Sequence, residues 1–192
     1  MVDQLKSNRR CFYLNSPNMV TAMRAHLAGQ GVNVAAEERR RALVLSSTQE
    51  FLIDGEFDSA RMLAMLERAV QESLADGFGG LWASGDMGWE LGSGRGVDQL
   101  LAYERSLEDY FRVQPALYGV CQYHVDRLPP DAIRRAFGTH RSLFIDDRLS
   151  RMNPFYALEL YSLPALENGR VLEMLAWLRG NAHHGAPDRS LG

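Results

Sequence analysis

The chain has 192 residues, of which 46% are hydrophobic and 23% charged, a balance that suits one folded domain with a sizeable core and excludes wholesale disorder. A formal net charge of −3 gives no basic surface for nucleic acid, so direct nucleic-acid binding is not expected. No run approaches the roughly 20 apolar residues of a membrane span, and Asp3, Lys6, Arg9 and Arg10 before the first apolar run do not read as a secretory leader. Cys11 and Cys121, both inside strand-like segments, read as core thiols, and the expected location is reducing cytoplasm.

Short apolar runs alternate with amphipathic helical patterns, which predicts an α/β fold with a mostly parallel central sheet flanked by helices. The first strand is expected from Arg10 to Asn15. Asn15, Ser16 and Pro17 then supply cap and first-turn chemistry for a helix carrying Met19, Val20, Met23 and Leu27, ended by Gly29 and Gly31. The run Arg39-Arg40-Arg41 behind Glu37 and Glu38 reads as a solvated helix end, and a second strand follows over Ala42–Ser46.

Between Phe51 and Asp58 a turn falls at Asp54-Gly55, and Asp58 or Ser59 caps a long helix. That helix shows Met62, Leu63, Leu66, Ala69, Val70 and Leu74 on one face. A third strand spans Gly80–Ser84, followed by a connection rich in glycine from Gly85 to Gly96. The next helix runs from Val97 to Arg112. Ala116–Cys121 is a continuous apolar run of the kind found in strands buried on both faces. Pro129-Pro130-Asp131 opens a short helix through Ile133 and Phe137, and Ser142–Ile145 is the last strand. A C-terminal helix carries Leu166, Leu172, Leu175 and Leu178, before a polar tail with His183 and His184. Residues 1–156 are thus expected to form the domain, and 157–192 a C-terminal helix and flexible tail.

Ligands of open parallel sheets sit outside the carboxyl ends of the strands, and three groups fall there. Gly85-Asp86-Met87-Gly88-Trp89-Glu90 offers a carboxylate, a thioether, an aromatic ring and flexible glycines, although a turn with a capping Asp has the same composition. Glu104 shares its helical phase with Leu100, Leu107 and Phe111 and so points inward, beside Tyr103, where a carboxylate needs a partner or a proton. Cys121-Gln122-Tyr123-His124 closes the fourth strand and can join Asp86 in a polar cluster. Cys121, His124 and a carboxylate lack the spaced pairs of metal sites, so neither metal nor cofactor is expected. No phosphate-binding G-x-x-x-x-G-K-[ST], G-x-G-x-x-G or G-x-S-x-G occurs, which argues against an enzyme.

Cys11-Phe12-Tyr13-Leu14, Gly55-Glu56-Phe57-Asp58 with Met62, and Gly77-Phe78-Gly79-Gly80-Leu81 form an ordered series of short motifs. It continues with Gly85-Asp86-Met87-Gly88-Trp89, Tyr103-Glu104, Cys121-Gln122-Tyr123, His140 and Asn153-Pro154-Phe155-Tyr156. In order and spacing the series resembles the sensory domain named from methanogens, methylotrophs and the regulator DcmR, the MEDS domain, over about residues 8–156. The resemblance implies a fold related to KaiC and RecA-like proteins without the phosphate-binding loop, here lacking the usual first strand–helix unit. It implies the sensing of a small organic molecule, such as a hydrocarbon derivative, coupled to a histidine kinase or transcription regulator. Carried over by position, Asp86, Trp89, Glu104 and Tyr123 would line the site; Asp86 stands where the family tends to have Glu, and His124 where Asp often stands.

The expected function is therefore a non-catalytic sensor and signal relay, a homo-oligomer, with ligand-binding residues Asp86, Met87, Trp89, Tyr103, Glu104, Cys121, Tyr123 and His124. A ligand-free interaction module docking through its C-terminal helix, and a degenerate nucleotide-binding protein, are the alternatives.

Overall fold

A computed structural model of the chain describes residues 1–50, 52–54, 56–90, 97–145, 148–150, 156 and 168–181. They belong to two compact units, Met1–His124 and Val125–Gly192. Gly92–Gly96, Asn153–Phe155, Leu166, His183 and His184 lie outside the described residues.

The first unit runs α1 (Val2–Lys6), β1 (Arg10–Leu14), α2 (Pro17–Gly29), α3 (Val34–Arg39), β2 (Leu43–Ser46), β3 (Leu52–Ile53) and β4 (Glu56–Phe57). It continues with α4 (Ser59–Ala75), β5 (Leu81–Asp86), α5 (Met87–Glu90), α6 (Val97–Val113) and β6 (Leu117–Gln122). Four strands pair in parallel in the order β2-β1-β5-β6, so the chain first steps to one side of β1 and then crosses to the other. The short β3–β4 hairpin turns at Asp54, whose φ of 52° is the left-handed conformation that an Asp-Gly turn calls for. At α4 the cap is Asp58, whose Oδ1 accepts the Arg61 amide at 2.8 Å.

Alternation along the strands gives the sheet two distinct faces. Cys11 on β1 and Leu43 on β2 form a core with Leu5 of α1, Leu27 of α2, Val34 of α3 and Phe78. The opposite face of β1 and β5 presents Phe12, Leu14, Ala83 and Gly85 toward α4 and α6. On α4 the buried positions are Met62, Leu66, Val70 and Ser73. Leu74, expected on that face, is 47% exposed, and Ser73 takes the inward place with its hydroxyl donating to the Ala69 carbonyl at 2.7 Å.

Two further readings need correction. β5 extends through Asp86, so the segment expected to be a loop from Gly85 is the end of a strand followed by a single helical turn. β6 is an edge strand rather than one buried on both faces: Tyr118 is 39% exposed, and the Arg9 guanidinium covers its ring at 3.9 Å. Its continuous apolar run misled because half of an edge strand's face still needs apolar cover from its own helix. Cys121 is accordingly only half-buried, whereas Cys11 is fully buried. α1 had no counterpart among the expected elements, being too short for periodicity to register, whereas α3 is the helix whose solvated end was read at Glu37, Glu38 and Arg39.

At the amino end of the sheet the buried Arg10 pairs with Asp76, donates from Nε to the Arg41 carbonyl at 2.7 Å and lies 5.0 Å from the Phe78 ring. A buried cation is tolerable only with such a full set of partners.

The second unit contains α7 (Pro130–Ala136), the antiparallel pair β7 (Leu143–Ile145) and β8 (Arg148–Ser150), and α8 (Asn168–Asn181), which packs on α7 and on the pair. Val171, Leu175 and Leu178 recur at helical spacing as its buried stripe, while Leu172 is 66% exposed. The strand expected over Ser142–Ile145 thus pairs in this unit and not in the parallel sheet. Among the described residues no helix is long and apolar enough to cross a membrane.

Gly80 carries the entry into β5. Its φ is +136°, and a Cβ there would sit 2.3 Å from the Ala116 carbonyl oxygen, which accepts the Leu81 amide at 2.8 Å. Gly80→Ala should lower stability by at least about 1–3 kcal/mol in urea unfolding, with the loss concentrated where β5 joins β6. A variant as stable as the wild type would contradict this close approach.

Candidate functional site

The strand order reverses direction between β1 and β5, which places a topological switch at the carboxyl ends of these strands, after Leu14 and Asp86. Right-handed crossovers on either side of such a point put their helices on opposite faces and leave the strand ends as the natural place for a ligand. Polar side chains collect there. Tyr13, Asn15, Ser84 and Asp86 are all buried, with exposures of 1, 0, 4 and 1%. Asn15 donates from Nδ2 to the Tyr13 hydroxyl at 2.9 Å, and its Oδ1 accepts the Ser16 amide at 2.8 Å, tying β1 to the start of α2. Burial pushes the Tyr13 phenol up from its ordinary value; the hydrogen bond from Asn15 opposes that shift and the nearby Asp86 carboxylate adds to it.

Asp86 has two roles visible in its contacts. Oδ1 accepts the Gly88 amide at 2.9 Å and closes the turn from β5 into α5. Oδ2 lies 3.3 Å from Nε2 of His124, which follows β6 and is 37% exposed, so a protonated imidazole makes an ion pair with a buried carboxylate.

A second carboxylate is held differently. Glu104, on α6, is fully buried, as its helical phase required, between Leu100, Leu101 and Leu107. Tyr123 donates its hydroxyl to Glu104 Oε1 at 2.6 Å, joining α6 to the segment after β6. The Cys121 sulfur lies within 4.8 Å of a Glu104 carboxylate oxygen.

Beside this pair, a cavity lies between the sheet and helices α4 and α6. It offers about 30 Å³ to the centres of water-sized molecules, against roughly 10–15 Å³ needed for a single water. Phe12 and Ala83 floor it, Met62 and Met65 of α4 and Phe111 of α6 roof it, and none of the described residues that line it carries a charge. Its width depends on Gly119: a Cβ at that position would come within 2.8 Å of Phe111 Cζ, so only glycine lets the ring lie against β6.

The sites named from sequence separate into two groups. Met87, Tyr103 and Cys121 line the cavity, and Glu104 with Tyr123 adjoins it through Cys121. Asp86 alternates to the other face of β5, away from Gly85 and Cys121, and meets His124 at the strand ends. Trp89 belongs to α5 by its backbone, and its side chain is outside the described residues. Tyr13, Asn15 and Ser84 were not singled out, because only the strand order brings the end of β1 beside the end of β5. The α4 methionines gave no separate signal, since a methionine stripe at helical spacing reads as core.

Two measurements follow. Tyr123→Phe removes the donor from a buried carboxylate and should cost about 1–3 kcal/mol of unfolding free energy; no loss would show that the 2.6 Å bond does not bear on stability. Burial pushes the Cys11 thiol up to about 12, with negative Glu37 adding to it against the positive N-terminus, Arg40 and Arg9. A raised folded-state value means that this stabilisation is complete below the ordinary value near 9 and is lost as pH rises toward 12. Iodoacetamide at pH 8 should therefore modify Cys121 well before Cys11, which becomes reactive only on unfolding; equal labelling of the native protein would contradict it.

Neither a curated protein nor a solved structure matches the chain. The family model described as MEDS, the methanogen/methylotroph, DcmR sensory domain, matches residues 2–141. That span takes in β1 through α7, with the switch point, the Glu104–Tyr123 bond and every wall of the cavity. The chain accordingly belongs to the MEDS family of sensory domains.

Proposed function

We propose that this sensory domain binds a small organic molecule in the cavity between the sheet and helices α4 and α6, and passes its occupancy to a histidine kinase or transcription regulator without chemical turnover. The cavity is the observation that carries the reading. Its described lining is almost wholly apolar, and a concave site of that kind takes small apolar molecules readily. Its walls come from three strands and from helices α4, α5 and α6 of the parallel sheet unit, so occupancy bears on the packing of α4 and α6 together. Tyr103, Met87 and Cys121 face the bound molecule, while the Asp86–His124 pair holds the strand ends on the other side of the sheet. A hydrocarbon derivative of a few heavy atoms is the ligand class that such walls favour.

The test is a thermal-shift screen with short-chain alcohols, amines, ketones and haloalkanes on the wild type and on Ala83→Ile, which fills the cavity from its floor. A ligand at a hundred times its Kd adds about 2.7 kcal/mol, a rise in Tm of roughly 5–10 °C for a chain of this size. Ala83→Ile should keep its circular dichroism spectrum and lose the shift. A shift of equal size in both proteins would place the ligand elsewhere.

A further inference from the structure

We infer that the Phe111 ring, seated on Gly119, sets the length of the longest molecule this cavity accepts; this rests on the cavity being the sensory site. The cavity has walls of two kinds. Met62 and Met87 are each 1% exposed, and Leu107 and Leu117 are 3 and 4% exposed. Walls of that kind belong to a close-packed core and cannot retreat without losing their own packing. Phe111 of α6 is only half-buried, and Gly119 of β6 is exposed, so theirs is the side on which the cavity meets solvent.

The position of the ring follows from the strand beneath it. Glycine weakens a strand interior and often marks a close approach from outside the strand. A Cβ at Gly119 would lie 2.8 Å from Phe111 Cζ and 3.3 Å from Cε1, with the Ala83 carbonyl oxygen 3.2 Å away on the paired strand. That carbonyl is held in a strand ladder, so the ring is the neighbour that must give way. The methionine walls adapt to an occupant through three rotatable bonds each; a phenyl ring keeps its shape and sets a firmer limit. About 30 Å³ is open to the centres of water-sized molecules, and each water needs roughly 10–15 Å³. The space therefore suits a molecule of about two or three heavy atoms, and a longer straight chain meets the ring.

The experiment titrates methanol, ethanol, 1-propanol, 1-butanol and 1-pentanol into the chain carrying 13C-methyl methionine. Dissociation constants are read from the methyl signals of Met62, Met65 and Met87, which line the cavity. In the wild type the affinity should rise about fourfold per added methylene, the equivalent of ~0.8 kcal/mol, and fall once the chain reaches the ring. Phe111→Leu keeps an apolar residue on α6 and should move the tightest-binding alcohol at least one carbon longer. Gly119→Ala should displace the optimum in the wild type and leave it in place in the Phe111→Leu background, because it acts only through the ring. An optimum that Phe111→Leu does not move, in a variant with the wild-type circular dichroism spectrum, overturns the role of the ring. An equal displacement by Gly119→Ala in both backgrounds overturns the coupling of the two positions. Affinity that climbs steadily through 1-pentanol in the wild type overturns the length limit and leaves the cavity reading intact. If no alcohol moves the methionine methyls, the cavity reading itself fails and the inference falls with it.

Discussion

The pairing of β1 on both sides governs the rest of the first unit. It bonds in parallel to β2 through Cys11–Leu14 and to β5 through Arg10–Leu14, and no other strand has two neighbours so early in the chain. Parallel neighbours require crossovers, and their fixed hand sends α2 and α3 over one face and α4 and α6 over the other. Alternation along β1 then assigns Cys11 and Tyr13 to the first layer and Phe12 and Leu14 to the second. Each layer has its own chemistry because one strand feeds both.

That division explains how one small sheet tolerates two buried carboxylates. Asp86 and Glu104 are each almost completely removed from water, yet they belong to opposite layers and answer to different partners. Asp86 accepts a backbone amide within its own turn and lies 3.3 Å from an imidazole that is partly in solvent. Glu104 is satisfied by a phenol from the segment after β6, in apolar surroundings. The first arrangement secures the chain's exit from β5; the second ties α6 to the segment after β6. A low local dielectric strengthens each bond and makes any loss of a partner expensive.

Much of this was legible in the residues. The strand at Arg10, the long α4 with its Asp58 cap, and the inward phase of Glu104 follow from capping chemistry and periodicity, which act over a few residues. The motif series likewise led to the right family, and the parallel sheet followed from alternation of strand and helix patterns. What stayed hidden depends on strand order. Ala116–Cys121 is equally apolar at an edge or in the centre, so exposure of Tyr118 could not be read from it. The meeting of Asn15 with Asp86's end of the sheet, and the choice of face for Asp86 against Cys121, are set by register between distant segments. Extension of β5 to Asp86 was obscured by Gly85, a residue that reads as a turn in sequence and serves as a strand residue facing the cavity.

Gly119 shows how a binding site can be shaped by an atom that is missing. The Phe111 ring occupies the space where a side chain on β6 would be, and the cavity has its present breadth because of that concession. A single methyl group there would come within 2.8 Å of Phe111 Cζ and tilt an aromatic wall. Such a position lets the size range of a sensor drift by one substitution, while the buried acid, its phenol and the sheet stay as they are. Relatives tuned to smaller or bulkier molecules would then differ at a position that acts through its neighbour's ring, and a comparison of side chains one by one would miss the cause of their selectivity.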